Sequence, residues 1–490
     1  MTPALGGWFR PGRPVLLWVT LENDGGAVVG SVDVVVEGIA YRWPFGVGAM
    51  AETTVGVLAA VHGGRQRVRV RAEDGRGATV CDVEAEVALR QPEAGRRLVL
   101  AVGKAEAPAR ELFAGKPVRV VGVAAEGAPL VWGAWAAADA VVLRAHGGGL
   151  SEGVLMALRG GGLQGGLTIL LAEADGQDDE ARDAAEWLHG PSALRETFEV
   201  GDGVGWRHGL GMGVAGSAED LAKGDLMALM PPPGERAPAV DEGLYGLFDA
   251  PRMDGAGRWR WVGIAVGLLV AGAVVVWVLC RRGRWLVFGL SLAACAALGA
   301  ATWGALGATG RGVVEAAGLR VDGGLALEVV QVGGVGRGRV RVALGRAAAV
   351  VPAYYGLSDV GSWDDVVLEQ DAAGRWHLEC AVRCGVRRCF VVTGLDPSAA
   401  GPRVEGAARK VLVRRGAFRM AGGEAWRPLR ELAQEWDGPA ALVRWQASRL
   451  REQEMVEVSW GPRRMSAARP ERGVAIMRHG PVVEWRRVPE

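Results

Sequence analysis

The sequence predicts a multidomain membrane protein with an N-terminal β-sandwich, an α/β middle domain, a two-helix transmembrane hairpin and a C-terminal β-rich domain. Three observations lead there. Short strand-like runs fill the chain as far as Leu89, continuous apolar runs take over between Arg97 and Glu173, and two stretches at 261–280 and 285–308 carry no charge at all.

At 490 residues the chain is too long for one ordinary core, and roughly 150 residues per domain gives about three folded units. The formal net charge is +1, and no basic stretch is interleaved with aromatic residues, so nucleic acid is not an expected partner. The six cysteines are spread too thinly for a disulfide framework.

Residues 1–92 read as the β-sandwich. PVLLWVTL, SVDVVVEG, TTVGVLAAV, RQRVRVRA and ATVCDVEAEVAL are short strands separated by Gly, Asp and Asn turns. In the last of them Val83, Ala85, Val87 and Leu89 face one way and Asp82, Glu84 and Glu86 the other, the period of a half-buried antiparallel strand. The polar stretch LRQPEAGRR then breaks the pattern and marks a boundary.

Residues 95–233 read as the α/β domain. RLVLAVG, PVRVVGV, ADAVVLRA and GLTILLAE are solid apolar runs of the kind buried on both faces of a parallel sheet, with helical stretches at Ser151 to Arg159 and Asp178 to Leu188. Pro231, Pro232 and Pro233 end it, because proline lacks the N–H that regular structure needs. Residues 234–257 follow as a linker.

Twenty apolar residues at 1.5 Å rise cover a hydrocarbon core of roughly 30 Å, so 261–280 and 285–308 are each long enough to span. Trp261, Trp277, Trp285 and Trp303 lie near their ends, where indole rings favour the interface, and Gly263 and Gly267 form a G-x-x-x-G. The connecting RRGR loop, with Arg281, Arg282 and Arg284, is expected in the cytoplasm of a bacterial cell, with both soluble regions on the extracytoplasmic side. The opening residues lack the layout of a secretory signal, so this orientation expects a start further upstream. Residues 315–490 return to strand signals such as ALEVVQV, GRVRVALG, WHLECAVR and EMVEVSW, with helices expected at Trp426 to Trp436 and Ala440 to Arg451.

Three constellations could carry chemistry. HGGG at His146 to Gly149 overlaps GLSEG at Gly149 to Gly153, which would make Ser151 a hydrolase nucleophile, with His189 or His208 as base and Asp175 or Asp202 as acid. One Gly149 cannot serve an oxyanion loop and a nucleophile elbow at once. The favoured reading makes Ser151 the cap of a helix whose Val154, Leu155 and Leu158 face the core. GMGVAG at Gly211 to Gly216 matches G-x-G-x-x-G, but it sits late in its domain, and a Gly-rich strand or turn explains it better than a dinucleotide site. His377, Cys380, Cys384 and Cys389 could ligate zinc, yet they lack paired C-x-x-C spacing; Cys380 and Cys384 alternate with Trp376, Leu378 and Val382 as core residues would, and a disulfide is the other alternative. No catalytic, metal or cofactor site is therefore assigned.

GGWFRPGRPVLLWVTLEND (Gly6 to Asp24) and ADAVVLRAHGGGLSEGVLMALRGGGLQGGLTILLAE (Ala138 to Glu173, with Gly165 and Gly166) together resemble bacterial membrane proteins that pair a β-sandwich with a degenerate class I glutamine-amidotransferase-like domain of flavodoxin-like fold. An active member would need an elbow cysteine and a His-Glu pair; no cysteine lies between Cys81 and Cys280, and the domain has no H-x-E. The resemblance implies a pseudoenzyme beside von Willebrand-type membrane proteins and MoxR-like ATPases. The expected function is thus a non-enzymatic, membrane-anchored envelope scaffold that binds proteins, with a membrane-bound serine hydrolase using Ser151 as the alternative.

Overall fold

A computed structural model describes residues 1–144, 150–172 and 197–230 apart from a few positions, and 311–487 with interruptions chiefly at 354–362, 396–408 and 433–454. Glu186 and Leu188 are also described, and of 231–310 only Gly267, Gly272, Val274, Trp277, Val278 and Arg281.

The first ninety residues form β1 (Thr2–Pro3), β2 (Pro14–Asn23), β3 (Val28–Val36), β4 (Ile39–Val47), β5 (Ala51–Ala60), β6 (Arg65–Asp74) and β7 (Thr79–Ala88). Next come β8 (Arg97–Val102), β9 (Val118–Val123), β10 (Ala140–Arg144), β11 (Leu167–Leu171), β12 (Thr197–Val200), β13 (Gly203–His208) and β14 (Gly211–Gly216). The helices among them are α1 (Glu106–Leu112), α2 (Trp132–Trp135), α3 (Glu152–Leu163), α4 (Ala218–Ala222) and α5 (Leu226–Leu229). After residue 310 the chain makes β15 (Arg311–Val321), β16 (Leu325–Val335), β17 (Gly338–Arg346), β18 (Ala349–Ala353), β19 (Val366–Gln370), β20 (Arg375–Val382) and β21 (Arg387–Leu395). It closes with β22 (Arg409–Arg414), β23 (Ala417–Met420), β24 (Arg427–Pro428), β25 (Met455–Arg464), β26 (Ala468–Glu471), β27 (Val474–Ile476) and β28 (Arg478–Arg487).

Strand alternation sorts these into layers. β6 buries Gln66, Val68, Val70 and Ala72 and exposes Arg65, Arg67, Arg69 and Arg71, the period of two of a sheet with one wet face. The decisive feature is where β4 pairs. Its parallel neighbour is β19, with Ala40 opposite Val367, Tyr41 opposite Leu368 and Arg42 opposite Glu369. The resulting seven-stranded sheet runs β17-β20-β19-β4-β3-β6-β7 and is built from both ends of the chain. At the join Trp43 Nε1 donates to Gln370 Oε1 over 2.7 Å, and the Trp43 ring meets Trp376 edge-on at 5.2 Å. Tyr41 is fully buried beside it, and burial pushes its phenol above the ordinary range. A three-stranded sheet β1-β2-β5 and a nine-stranded sheet β18-β21-β16-β15-β28-β25-β22-β23-β24 contribute to the same hydrophobic core.

Residues 97–216 form a mixed seven-stranded sheet, β12-β13-β14-β11-β10-β8-β9, in which β9, β8, β10, β11 and β14 run parallel, β13 pairs antiparallel with β14, and β12 pairs antiparallel with β13. Its strands bury alternate residues in two cores. Leu98, Leu100 and Val102 join the large core shared with the other sheets, while Val99 and Ala101 pack with Leu112, Leu221 and Leu226 of α1, α4 and α5. Gly133 lies where three regions meet, for a side chain there would come within 2.5 Å of Leu58 and 3.3 Å of Ala349.

The structure corrects the expected fold class. Among the described residues strands account for 57% and helices for 18%, too little helix to cover both faces of a doubly wound sheet, and no flavodoxin-like or amidotransferase-like α/β domain is evident among them. Among the described residues the longest helix between the middle strands, α3, has 12 residues. The N-terminal β-sandwich and C-terminal β-rich domain are not separate layers either, because β19, β20 and β17 extend the N-terminal sheet. No helix among the described residues is long and apolar enough to cross a membrane. The two-span hairpin, and with it the integral membrane anchoring and the bacterial membrane localisation with a cytoplasmic RRGR loop, is therefore not supported; the segments 261–280 and 285–308 lie almost wholly outside the described residues.

A buried ion cluster ties the N-terminal strands to the middle sheet. The Asp139 carboxylate has no solvent exposure; it pairs with Arg10 and, at 3.2 Å, with Arg13, and it accepts the Leu98 N–H at 2.7 Å. Arg13 also donates to the carbonyls of Ala136 (3.0 Å) and Ala138 (2.6 Å), and Arg10 to that of Arg96 (2.8 Å). Removing one member of such a cluster strands the rest without solvent. Asp139→Asn should cost about 3–5 kcal/mol in denaturant unfolding, and a loss below about 1 kcal/mol would show that the cluster does not hold the two regions together.

Candidate functional site

β6 and β7 form a hairpin set by its turn. Asp74 Oδ1 accepts the N–H groups of Arg76 and Ala78, both at 2.9 Å, and Gly77 takes φ +81°, which only glycine adopts without strain. Those backbone donors, Ala78 first, hold the Asp74 carboxyl below its usual range. The register then sets Arg71 opposite Asp82, Arg69 opposite Glu84 and Arg67 opposite Glu86.

On the wet face this gives an acid row facing a base row. Arg69 grips Asp82 through two bonds of 2.8 and 2.6 Å, Arg67 reaches Glu84 at 3.3 Å and Arg65 approaches Glu86 at 3.9 Å. Hydrogen bonding from Arg69 lowers the Asp82 carboxyl. These pairs are exposed and each contributes little to stability, but together they fix the sign of each strand.

The other face of β7 is apolar: Cys81, Val83, Ala85 and Val87. Only Val87 is buried. Cys81 and Ala85 are half-buried and Val83 is 53% exposed. β7 ends its sheet, and among the described residues no strand pairs with its outer edge. Among the described residues its C-terminal end alone is covered, where the Arg90 N–H donates to Gly7 O (2.8 Å) and the Phe9 N–H to Arg90 O (3.0 Å). From Val80 to Glu86 the chain presents an open strand edge above a partly uncovered apolar stripe.

The residues singled out for chemistry are placed differently. Ser151 accepts the Val154 N–H at 3.4 Å and its carbonyl the Leu155 N–H at 3.1 Å, the arrangement of a helix cap, with Val154 and Leu158 buried. Asp202 is bound to Lys223 at 2.7 Å. His146, Gly147 to Gly149, Asp175 and His189 lie outside the described residues, as does the side chain of His208. GMGVAG is strand β14, not a βα turn. Its Gly213 is required by Trp206, whose ring atoms lie 2.1 Å from where a Cβ would stand.

Cys380 and Cys389 are buried free thiols, Cys81 is a half-buried one, and Cys384 lies outside the described residues. His377 is 3.6 Å from Asp371. Cys389 Sγ donates to the buried Gln331 Oε1 at 3.8 Å, and Arg388 binds Asp365 at 2.5 Å and the Ala381 carbonyl at 2.7 Å. Among the described residues no three His, Cys, Asp or Glu side chains converge on a metal position.

No family model matches the chain, and no curated protein matches it.

Sequence reasoning recovered both faces of β7 and missed that its edge is open. The signal for its partner strand, the run RQRVRVRA, was present, but alternation tells which way a side chain points and not which strand lies beside it.

Burial pushes the Cys380 thiol up to about 12, against the opposing pull of Arg388. That reduces its thiolate at neutral pH on the order of a thousandfold relative to an ordinary thiol. In the folded chain at pH 8 iodoacetamide should label Cys81 and leave Cys380 unmodified, read by peptide mass spectrometry; equal labelling would contradict the buried placement.

Proposed function

We propose that the chain is a non-enzymatic scaffold that binds other proteins, and that it does so by accepting an extended strand along β7. The observation that carries this is the open edge from Val80 to Glu86, with its half-covered stripe of Cys81, Val83 and Ala85.

An added strand gains main-chain hydrogen bonds from the edge and specificity from alternate side chains. β7 defines those side chains. Positions falling beside Asp82, Glu84 and Glu86 favour Arg or Lys, and positions beside Cys81, Val83 and Ala85 favour small or β-branched apolar residues. Open edges are an aggregation hazard, and the acid row limits it by disfavouring pairing with another acidic edge.

Nothing in this reading needs a reaction. Ser151 serves the backbone of α3, and Asp202 serves Lys223. Ser151→Ala should leave turnover of a small p-nitrophenyl ester at background; turnover that depends on Ser151 would overturn the non-enzymatic assignment.

The edge is tested with an alternating Arg-Val hexapeptide and the full chain. Binding should protect the amides of 80–86 from hydrogen exchange, and Val83→Lys should weaken it about tenfold, roughly 1.4 kcal/mol. Protection elsewhere, or binding indifferent to Val83→Lys, would contradict the assignment.

A further inference from the structure

The sheet that ends at β7 has a second end, β17, and the two ends carry opposite charge. Across the wet face a basic strand adjoins an acidic one at each end of the sheet. Arg339 and Arg341 of β17 reach Glu379 of β20 at 3.1 Å and Glu369 of β19 at 3.0 Å, Glu369 lies in register with Arg42 of β4, and Arg42 binds Asp33 of β3 at 2.6 Å. β6 follows with its arginines, and the row closes on the acids of β7. The next strand in this order beyond β7 would be basic, and the next beyond β17 would be acidic.

β17 also repeats the chemistry that β7 already pairs with. Arg67 to Val70 of β6 and Arg339 to Val342 of β17 are both Arg-Val-Arg-Val. In both, the valines are buried and the arginines point to solvent; Val68 and Val340 have no exposure at all. The lengths agree, with 10 residues in β7 and 9 in β17. β17 ends its sheet as β7 does, and among the described residues no strand pairs with its outer edge.

From this we infer that the occupant of the β7 edge is the β17 edge of a second copy of the chain. The inference rests on the reading of β7 as a docking strand and adds the partner. Pairing β7 with β7 would set acid against acid, and β17 with β17 base against base, each unfavourable for directly opposed side chains. The β7 to β17 contact alone sets unlike charges together and places Val83 on the same face as Val340 and Val342. Such a contact is head to tail, so each added copy leaves one edge of each kind free, and assembly proceeds to a ring or an open filament. Because its selectivity comes from exposed charges, salt should weaken it.

The test is sedimentation velocity of the full chain over a wide concentration range. The unmodified protein should grow in mass with concentration, and less so at high salt. Glu84→Lys with Glu86→Lys disables the acidic end, and Arg339→Glu with Arg341→Glu disables the basic end. All four positions are solvent-exposed, and circular dichroism establishes that each variant folds; Glu84→Gln with Glu86→Gln supplies a milder acidic-end variant that should weaken association less. Each double charge reversal alone should be monomeric. An equimolar mixture should associate again, because the unaltered β7 of one variant meets the unaltered β17 of the other and the reversed β7 and β17 are once more of unlike charge.

Association unchanged by either reversal, or a mixture that stays monomeric while the unmodified chain associates, would overturn the proposal. The Arg-Val hexapeptide keeps the two readings apart. A chain that binds the peptide yet is monomeric at every concentration overturns self-pairing and leaves the docking edge standing. A chain that does neither overturns both.

Discussion

The parallel pairing of β4 with β19 is the constraint on which the rest of the structure depends. It joins residues more than three hundred positions apart, since Trp43 and Gln370 are separated by 327 in sequence. A contact of that separation forms only after a large loss of chain entropy, so it must be held by packing and not by local preference. Trp43 supplies this: its ring lies against Trp376, its N–H is satisfied by Gln370, and Tyr41 beside it is fully enclosed. With the join made, strand order follows, and so do the two unlike ends of the sheet. If β4 were instead an edge, neither β7 nor β17 would hold its place at the end of a seven-stranded sheet.

The middle sheet is fastened to this frame by charge. Arg10 and Arg13 come from the stretch that leads into β2, and Asp139 from the residue just before β10, so a few side chains couple the two regions. The backbone carbonyls of Arg96, Ala136 and Ala138 and the Leu98 N–H complete the coordination. Gly133, with space only for a hydrogen between Leu58 and Ala349, lets the regions close together. The apolar part of the interface supplies the driving force, and the ionic part fixes one arrangement among many similar ones.

Individual strands were legible in the sequence, because alternation reports burial directly: the reading of Val83, Ala85 and Val87 against Asp82, Glu84 and Glu86 matches the two faces of β7. The helix cap at Ser151 and the Gly-rich strand at Gly211 to Gly216 were legible for similarly local reasons. What could not be read was partnership. RVRV at 67–70 and RVRV at 339–342 look identical in the chain, yet one lies inside its sheet and the other at its end. The solid apolar runs misled for a related cause. Burial on both faces produces the same residues whether helices or further sheets supply the cover, so the sheet beginning at Arg97 was read as a flavodoxin-like unit although strands of distant segments share one of its cores. Likewise, the charge-free runs at 261–280 and 285–308 met a length criterion for spans with no long apolar helix found among the described residues.

The most direct measurement of the β4 to β19 join is a cross-link between Arg42→Cys and Glu369→Cys, which the register places side by side on neighbouring strands. Mild oxidation of the folded double variant, followed by digestion and mass spectrometry, should recover the peptide around position 42 disulfide-bonded to the peptide around position 369. Recovery of both as free thiols from folded protein would contradict the composite sheet, and with it the unlike edges that the functional reading depends on.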